Sequence, residues 1–452
     1  MSQALFAAQA WLPDGWAQDV RVDIGDDGLV SGVAANAPAD GAERLAGPLI
    51  PGMPNLHSHA FQRAMAGLTG AGGPQGDNFW AWRACMYRFL ERLTPDDLEA
   101  IAAQLYVEML EHGYTTVGEF HYLHHDADGR PYADPAETAL RVVAAAGEAG
   151  IGLRLLPVFY AHAGFGGEPP ADGQRRFVCD LDGYARLAER CAQVTAIGFA
   201  PHSLRAVTPD ELQTILALRA AMSAQAPVHI HAAEQTREVD DCLEWSGQRP
   251  VEWLLWNAPL DRHWCLVHAT HMRELEAAAL ASHGAVAGLC PSTEADLGDG
   301  LFNAEPFLLA GGHIGIGGDS HVGTDPFAEL RLFEYGQRLV RRRRNLFERR
   351  DGRSVGAALY RAAASGGAQA LGFAAGAIAP GLRADLVVLD PDDPALSGHS
   401  GDRWLDAAIF GPARRPVRDV MVGGRWRVRE GCHSLAEATF ARYRATLRRL
   451  VA

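Results

Sequence analysis

His57 and His59 stand two residues apart at the end of the apolar run Leu-Ile-Pro-Gly-Met-Pro-Asn-Leu. In an extended strand such residues share a face, so both imidazoles can reach one metal ion. A His-x-His pair is common by itself, and this one gains weight because further imidazoles and a carboxylate close later apolar runs. His229 and His231 precede Glu234. Either suits a ligand, but His231 is nearer the end of its run and one turn of chain before Glu234, leaving His229 as a packed core residue. His268 ends the next run, with His271 just beyond, and is the better placed of that pair. Asp319 follows Gly317 and Gly318, where the chain can approach closely beneath a site. Its competing role is helix capping ahead of Pro326. His57, His59, His231 and Asp319, with a water completing the shell, are a sensible donor set for one divalent metal, zinc foremost.

The elements that position these residues follow from the same runs. Eight β-like stretches, at 48–59, 115–120, 152–160, 195–203, 227–234, 263–270, 284–293 and 313–320, alternate with segments of helical composition. Two of those segments open with Thr-Pro-Asp, at Thr94 and Thr208, which supplies a capping residue, a proline in the first turn and early acids. This pattern predicts an α/β fold, a (β/α)8 TIM-like barrel, with a doubly wound open sheet as the local alternative. The barrel is favoured because His59, Glu119, Tyr160, His202, His231, His268 and Asp319 all fall at or near C-terminal strand ends, the face on which barrel sites assemble. Residues 1–50 and 375–435 carry short alternating runs and predict a small β-sandwich domain built from both chain ends. The catalytic barrel then spans 51–374, and 436–452 is a C-terminal helix. The basic run Arg341–Arg344 follows a helical stretch and suits a helix C-terminus.

Composition narrows the chemistry. The 452 residues include 41 basic side chains, all arginine, since the sequence contains no lysine. Schiff-base, pyridoxal-phosphate and P-loop phosphotransfer mechanisms, which need a lysine amine, are therefore excluded. A net charge of −14 argues against a nucleic-acid partner. The seven cysteines are scattered without a CxxC pair, so neither a disulfide framework nor a zinc knuckle is expected. No apolar run reaches membrane-spanning length and no signal-like N-terminus is present, which predicts a cytoplasmic protein without membrane contact. The expected partners are a small anionic substrate derived from an amino acid and a second copy of the chain, as a homodimer.

The motifs Leu-Ile-Pro-Gly-Met-Pro-Asn-Leu-His57-Ser-His59, His231-Ala-Ala-Glu234, Leu-Val-His268-Ala, Gly-Gly-Asp319-Ser320 and residues 378–389 resemble, in order along most of the chain, those of the amidohydrolase superfamily. The resemblance implies the barrel, the split β-sandwich and the four ligands above. Many binuclear members bridge two metals with a carboxylated lysine, which is impossible here. Glu119 is the residue to test as a glutamate bridge to a second metal, while Glu234, His268 and Asp319 look like the mononuclear deaminase branch. In that branch water deprotonated at the metal attacks an sp² carbon bearing nitrogen. Asp319 would accept the water proton, Glu234 would protonate the leaving nitrogen, and His268 would orient the nucleophile or stabilise the tetrahedral centre.

For substrate binding, Trp80, Trp82 and Arg83 suit either a stacked base or an anion wall, or else a packed helix. Arg83 and Arg205 together suit carboxylates. The stretches around Gln62, Arg83, Tyr122 and His202-Ser-Leu-Arg205 are similar to those of the formimidoylglutamate deiminase family. That likeness implies hydrolysis of N-formimidoyl-L-glutamate to N-formyl-L-glutamate and ammonia in histidine degradation, with Gln62, Arg83, Tyr122, His202 and Arg205 holding the glutamyl part. A nucleobase or chlorotriazine-type aminohydrolase is the alternative, with Trp80 or Trp82 stacking on a flat ring. A non-catalytic scaffold would be expected to have lost ligands, and none is missing.

Overall fold

The computed structural model describes residues 3–68, 79–347 and 354–451, the side chains of 79–81 excepted. Eight parallel strands form the centre: β1 (Met53–Ser58), β2 (Tyr114–His121), β3 (Gly152–Phe159), β4 (Ala200–Pro201), β5 (Val228–Ala232), β6 (Trp264–His268), β7 (Val286–Leu289) and β8 (His313–Ile316). Each neighbours the next, and Ile316 of β8 pairs with Asn55 of β1. The remaining gap is spanned by isolated bridges from Phe199 to Val228 and from Ser203 to His231. The sheet therefore curls back on itself as the expected barrel, and the open-sheet alternative falls away. β4 is only two residues long because Pro201 has no N–H to give the ladder.

Two predicted regions differ in the structure. Residues 48–59 contain two strands, not one: Leu49–Pro51 pairs antiparallel with Leu386–Leu389 in a second sheet, and only Met53–Ser58 enters the barrel. Gly52 lies at the crossing, its N–H donating to the Asp385 carbonyl at 2.8 Å. The second sheet is mixed and nine-stranded, drawn from both ends of the chain, with Gln3–Leu12 and Gly15–Ile24 as its long hairpin. Leu5, Val20, Val22, Ile24, Leu49, Leu386, Val388 and Met421 form its own small core. Within residues 375–435 the helix Arg403–Phe410 was not anticipated. Asp402 and Asp406, before and within it, accept from the N–H groups of Ser354 and Gly356 (3.0 and 2.9 Å), covering orphan donors where helix Val355–Leu371 begins.

Local chemistry fixes the surrounding helices. Thr94 and Thr208 each accept from the third residue on and complete capping boxes with Asp97 and Glu211, starting helices Pro95–Glu111 and Pro209–Ser223. Helix Val355–Leu371 lies directly against the strands that carry the site. A Cβ at Gly366 would strike the Ile314 carbonyl of β8, and one at Gly367 would sit 3.0 Å from Pro54 of β1. The helix Ala436–Val451 packs on Pro95–Glu111, tied by the Arg449–Asp97 ion pair. Among the described residues no helix is long and apolar enough to cross a membrane.

Candidate metal centre and active site

At the C-terminal mouth of the barrel, His57 and His59 leave β1 on one face while Ser58 points the other way. The Nε2 of His57 lies 3.1 Å from the Nε2 of both His59 and His231. Asp319 Oδ1 completes the group, 3.3 Å from His59 Nε2 and 3.6 Å from His57 Nε2. Hydrogen bonds from the far side set the tautomers. His59 Nδ1 donates to the Phe120 carbonyl at 2.9 Å and His231 Nδ1 to the His202 carbonyl at 3.0 Å. Carbonyls only accept, so each Nδ1 bears the proton and each Nε2 turns a lone pair inward. Burial, then the neighbouring imidazoles, pushes His57 and His231 well below the usual histidine range, and burial takes His59 down to about 3. His59 and His231 both turn lone pairs on the same His57 Nε2, at 3.1 Å each, where one proton can satisfy only one of them, whereas a cation between the three satisfies all. About 3.3 Å is the ligand spacing of a tetrahedral ion with bonds near 2.0–2.1 Å. The donors therefore fit a divalent metal.

Beside this cluster sits a proton-handling group. His268 Nε2 is 3.8 Å from both Glu234 Oε1 and Asp319 Oδ2. Burial pulls the His268 pKa down, but Glu234, the Glu294 hydrogen bond and Asp319 outweigh it and raise it to about 10. Burial raises Asp319 to about 7 against the opposing charge of His268. His268, Ala269, Asp319, Ala233 and His321 all have left-handed backbones, with φ of 67°, 48°, 47°, 52° and 57°. Such conformations are unfavourable for residues with a Cβ by roughly 1–2 kcal/mol each and cluster where side chains must be aimed.

His59, His231, Glu234, His268 and Asp319 line one cavity together with Gln62, Arg83, Tyr122, His202 and Arg205. Gln62 Nε2 donates to Tyr122 at 2.8 Å, while its Oε1 is buried without a partner. His202 serves through its backbone as well, since its carbonyl holds His231. Arg205 lies 3.5 Å from Glu234 and 3.8 Å from Glu238. Trp82 also lines the cavity; the side chain of Trp80 lies outside the described residues. His229 is a layer below, donating to the Ala370 carbonyl at 2.8 Å. His271 faces a separate surface pocket. The cap of the helix starting at Pro326 is Asp325, not Asp319.

Glu119 turns away from the metal cluster. It accepts from Ala60 N, Ser58 Oγ and Tyr106 OH (2.7, 2.5 and 3.0 Å), so three of its roughly four acceptor sites brace the β1 terminus. Burial raises its pKa to about 7. A glutamate bridge to a second metal is not formed by this geometry.

A family model for the amidohydrolase family matches residues 49–427. The chain belongs to this family. A second model, the N-terminal domain of formimidoylglutamate deiminase HutF, matches residues 2–47 of this amidohydrolase. The chain is 56% identical over 436 residues to formimidoylglutamate deiminase of Pseudomonas aeruginosa, covering 95% of this chain and 96% of the relative. It is 31% identical over 421 residues to 8-oxoguanine deaminase of the same species, covering 89% and 88%. Among solved structures, an amidohydrolase from Brucella melitensis matches at a TM-score of 0.94 with 48% identity over 100% of both chains. An adenosine deaminase from Xanthomonas campestris with bound zinc matches at 0.82 with 23% identity over 99% and 98%, a likeness of fold alone.

In this amidohydrolase, residues to which no sequence motif points also contact the site. Glu238 accepts from the N–H groups of Ala233 and Glu234 (3.0 Å each), holding the turn that presents Glu234. Glu294 Oε1 lies 3.2 Å from His268 Nδ1. Thr293 Oγ1 donates to the Gly318 carbonyl at 3.1 Å and accepts from Ser320 N at 3.2 Å, bracing the Asp319 turn. The acid four residues after Glu234 was the one available signal, since Glu238 in the first turn of helix Thr236–Ser246 can accept from the N–H groups just ahead of it. Glu294 and Thr293 meet their partners only across strands.

Proposed function

We propose that this amidohydrolase is a deiminase that hydrolyses N-formimidoyl-L-glutamate to N-formyl-L-glutamate and ammonia, in histidine degradation in the cytoplasm. The observation that carries this reading is the 56% identity, over nearly the full length of both chains, to the P. aeruginosa formimidoylglutamate deiminase. The cavity supports it independently, because two arginines line it together with His59, His231 and Asp319, as a dicarboxylate with a reactive end requires.

His57, His59, His231 and Asp319 would hold one divalent ion, zinc on this donor set. When bound it supplies Lewis acidity that brings the pKa of water from 15.7 to about 7. The chain's own groups do the rest. Arg83 and Arg205 bind the glutamyl carboxylates, and Gln62, Tyr122 and His202 shape the wall between them and the reacting carbon. Asp319 takes the proton of the attacking water and Glu234 delivers one to the imino nitrogen. Asp319 then passes its proton to the same nitrogen and the hydroxyl of the tetrahedral centre returns one to Glu234, so that ammonia leaves as the formyl C=O forms. His268 Nε2, midway between the two carboxylates, steadies the oxygen that becomes the carbonyl.

The test is ammonia release by metal-replete enzyme on N-formimidoyl-L-glutamate, N-formimidoyl-L-aspartate, guanine and cytosine. Turnover is expected with the formimidoyl acids. Activity on the nucleobases alone would replace this reading with the base-stacking alternative.

A further inference from the structure

We infer that Glu294 is a positioning residue that sets the rotation of the His268 ring and holds the proton on its Nδ1 for the deimination step. His268 leaves β6 with φ of 67° and is followed by Ala269 at 48°, so its ring is carried on a strained turn rather than on a regular strand. Nε2 has 3.8 Å gaps to Glu234 and Asp319, too long for hydrogen bonds. Among the described residues the close polar contact of the ring is Nδ1 with Glu294 Oε1, at 3.2 Å. Glu294 is itself fixed: the same Oε1 accepts from Cys290 N at 2.8 Å, its backbone carbonyl accepts from Asp299 N at 2.9 Å, and the side chain is 7% exposed. A carboxylate accepts and cannot donate, so the proton of that contact belongs to Nδ1. Because the two ring nitrogens lie on opposite sides, fixing Nδ1 aims Nε2 into the gap between the two carboxylates. Glu294 does not line the cavity, and it acts through His268.

The inference rests on the role given to His268 under the proposed function, and a double-mutant cycle separates the two. Ammonia release from N-formimidoyl-L-glutamate is measured for Glu294→Ala, Glu294→Gln, His268→Ala and the double variant Glu294→Ala/His268→Ala, each checked for metal content and Tm. Loss of such an orienting partner lowers kcat by about 10- to 100-fold, with KM held within about threefold. Glu294→Gln keeps an acceptor for both Cys290 N and Nδ1 and restores most of the rate. In the His268→Ala background, removing Glu294 costs nothing further. Full additivity in that background, or Glu294→Ala with wild-type kcat, overturns the inference and leaves the deiminase reading standing. Wild-type rates in His268→Ala overturn the role of His268 itself. A measurement on the unmutated enzyme guards against misfolded variants: NMR of the His268 ring is expected to show an Nδ1-bound, downfield proton. A ring protonated at Nε2 alone refutes the inference.

Discussion

Replacing Arg205 with methionine separates a substrate-binding arginine from a structural counter-ion. Its guanidinium side chain is 13% exposed and lies 3.5 Å from Glu234 and 3.8 Å from Glu238, which are 7% and 1% exposed. At an effective dielectric of about 20, those contacts amount to roughly 5 and 4 kcal/mol of gross attraction. The guanidinium's own desolvation offsets much of that. What methionine leaves behind is a buried Glu238 without a cation and a buried Glu234 with His268 alone, at a net cost of about 3–5 kcal/mol. With about 2.1 cal/mol/K of unfolding entropy per residue, a chain of 452 residues would lose about 3–5 °C in Tm. Kinetically, loss of a fork on a substrate carboxylate should raise KM for N-formimidoyl-L-glutamate by about 10²-fold. Displacement of Glu234 from its place should also lower kcat. The assay pairs thermal unfolding with steady-state ammonia release for Arg205→Met and Arg205→Lys. Lysine should recover most of the Tm but little of the KM, because it restores the charge without the planar fork. A lowered Tm with unchanged KM would refute the substrate role and leave Arg205 as a counter-ion to Glu234 and Glu238.

Three further outcomes are expected. Asp319→Asn should reduce turnover by at least about 10³-fold with little change in circular dichroism, since it removes the acceptor of the water proton; retained turnover would move the base elsewhere. Chelation should remove one equivalent of divalent metal per chain together with activity, zinc should restore both, and His57→Ala should hold substoichiometric metal by elemental analysis; a second equivalent lost with activity would contradict a mononuclear site. Glu119→Gln should keep its metal stoichiometry and lose about 1–3 kcal/mol of stability through the bonds to Ala60, Ser58 and Tyr106; metal loss without destabilisation would make it a ligand after all.

Most of the barrel was legible because its strands end where their polar residues begin. His59, His231 and His268 sit at strand ends since the mouth is the place where a buried imidazole can meet a cation or substrate. The Thr-Pro-Asp helix starts were equally plain, because a cap is a local matter of one hydroxyl and two N–H groups. The break inside residues 48–59 was hidden: strands of two different sheets are continuous in sequence, and only pairing with Leu386–Leu389 on one side and Tyr114–His121 on the other separates them. Helix Arg403–Phe410 was hidden for a similar reason, since its neighbouring acids take their meaning from donors more than forty residues away.

The sequence alone determined the kind of chemistry this protein can do. Its ordered histidines and aspartate allow a divalent site, and its lack of lysine rules out the carboxylated-lysine bridge. Tertiary structure alone decided which lone pairs meet and which acids stay out. Glu119 and Glu294 are both glutamates near strand ends, yet one braces the back of β1 and the other reaches His268. The difference lies in where each is mounted, Glu119 on β2 itself and Glu294 on the helix Pro291–Leu297 after β7, which barrel closure rather than residue type brings to its partner.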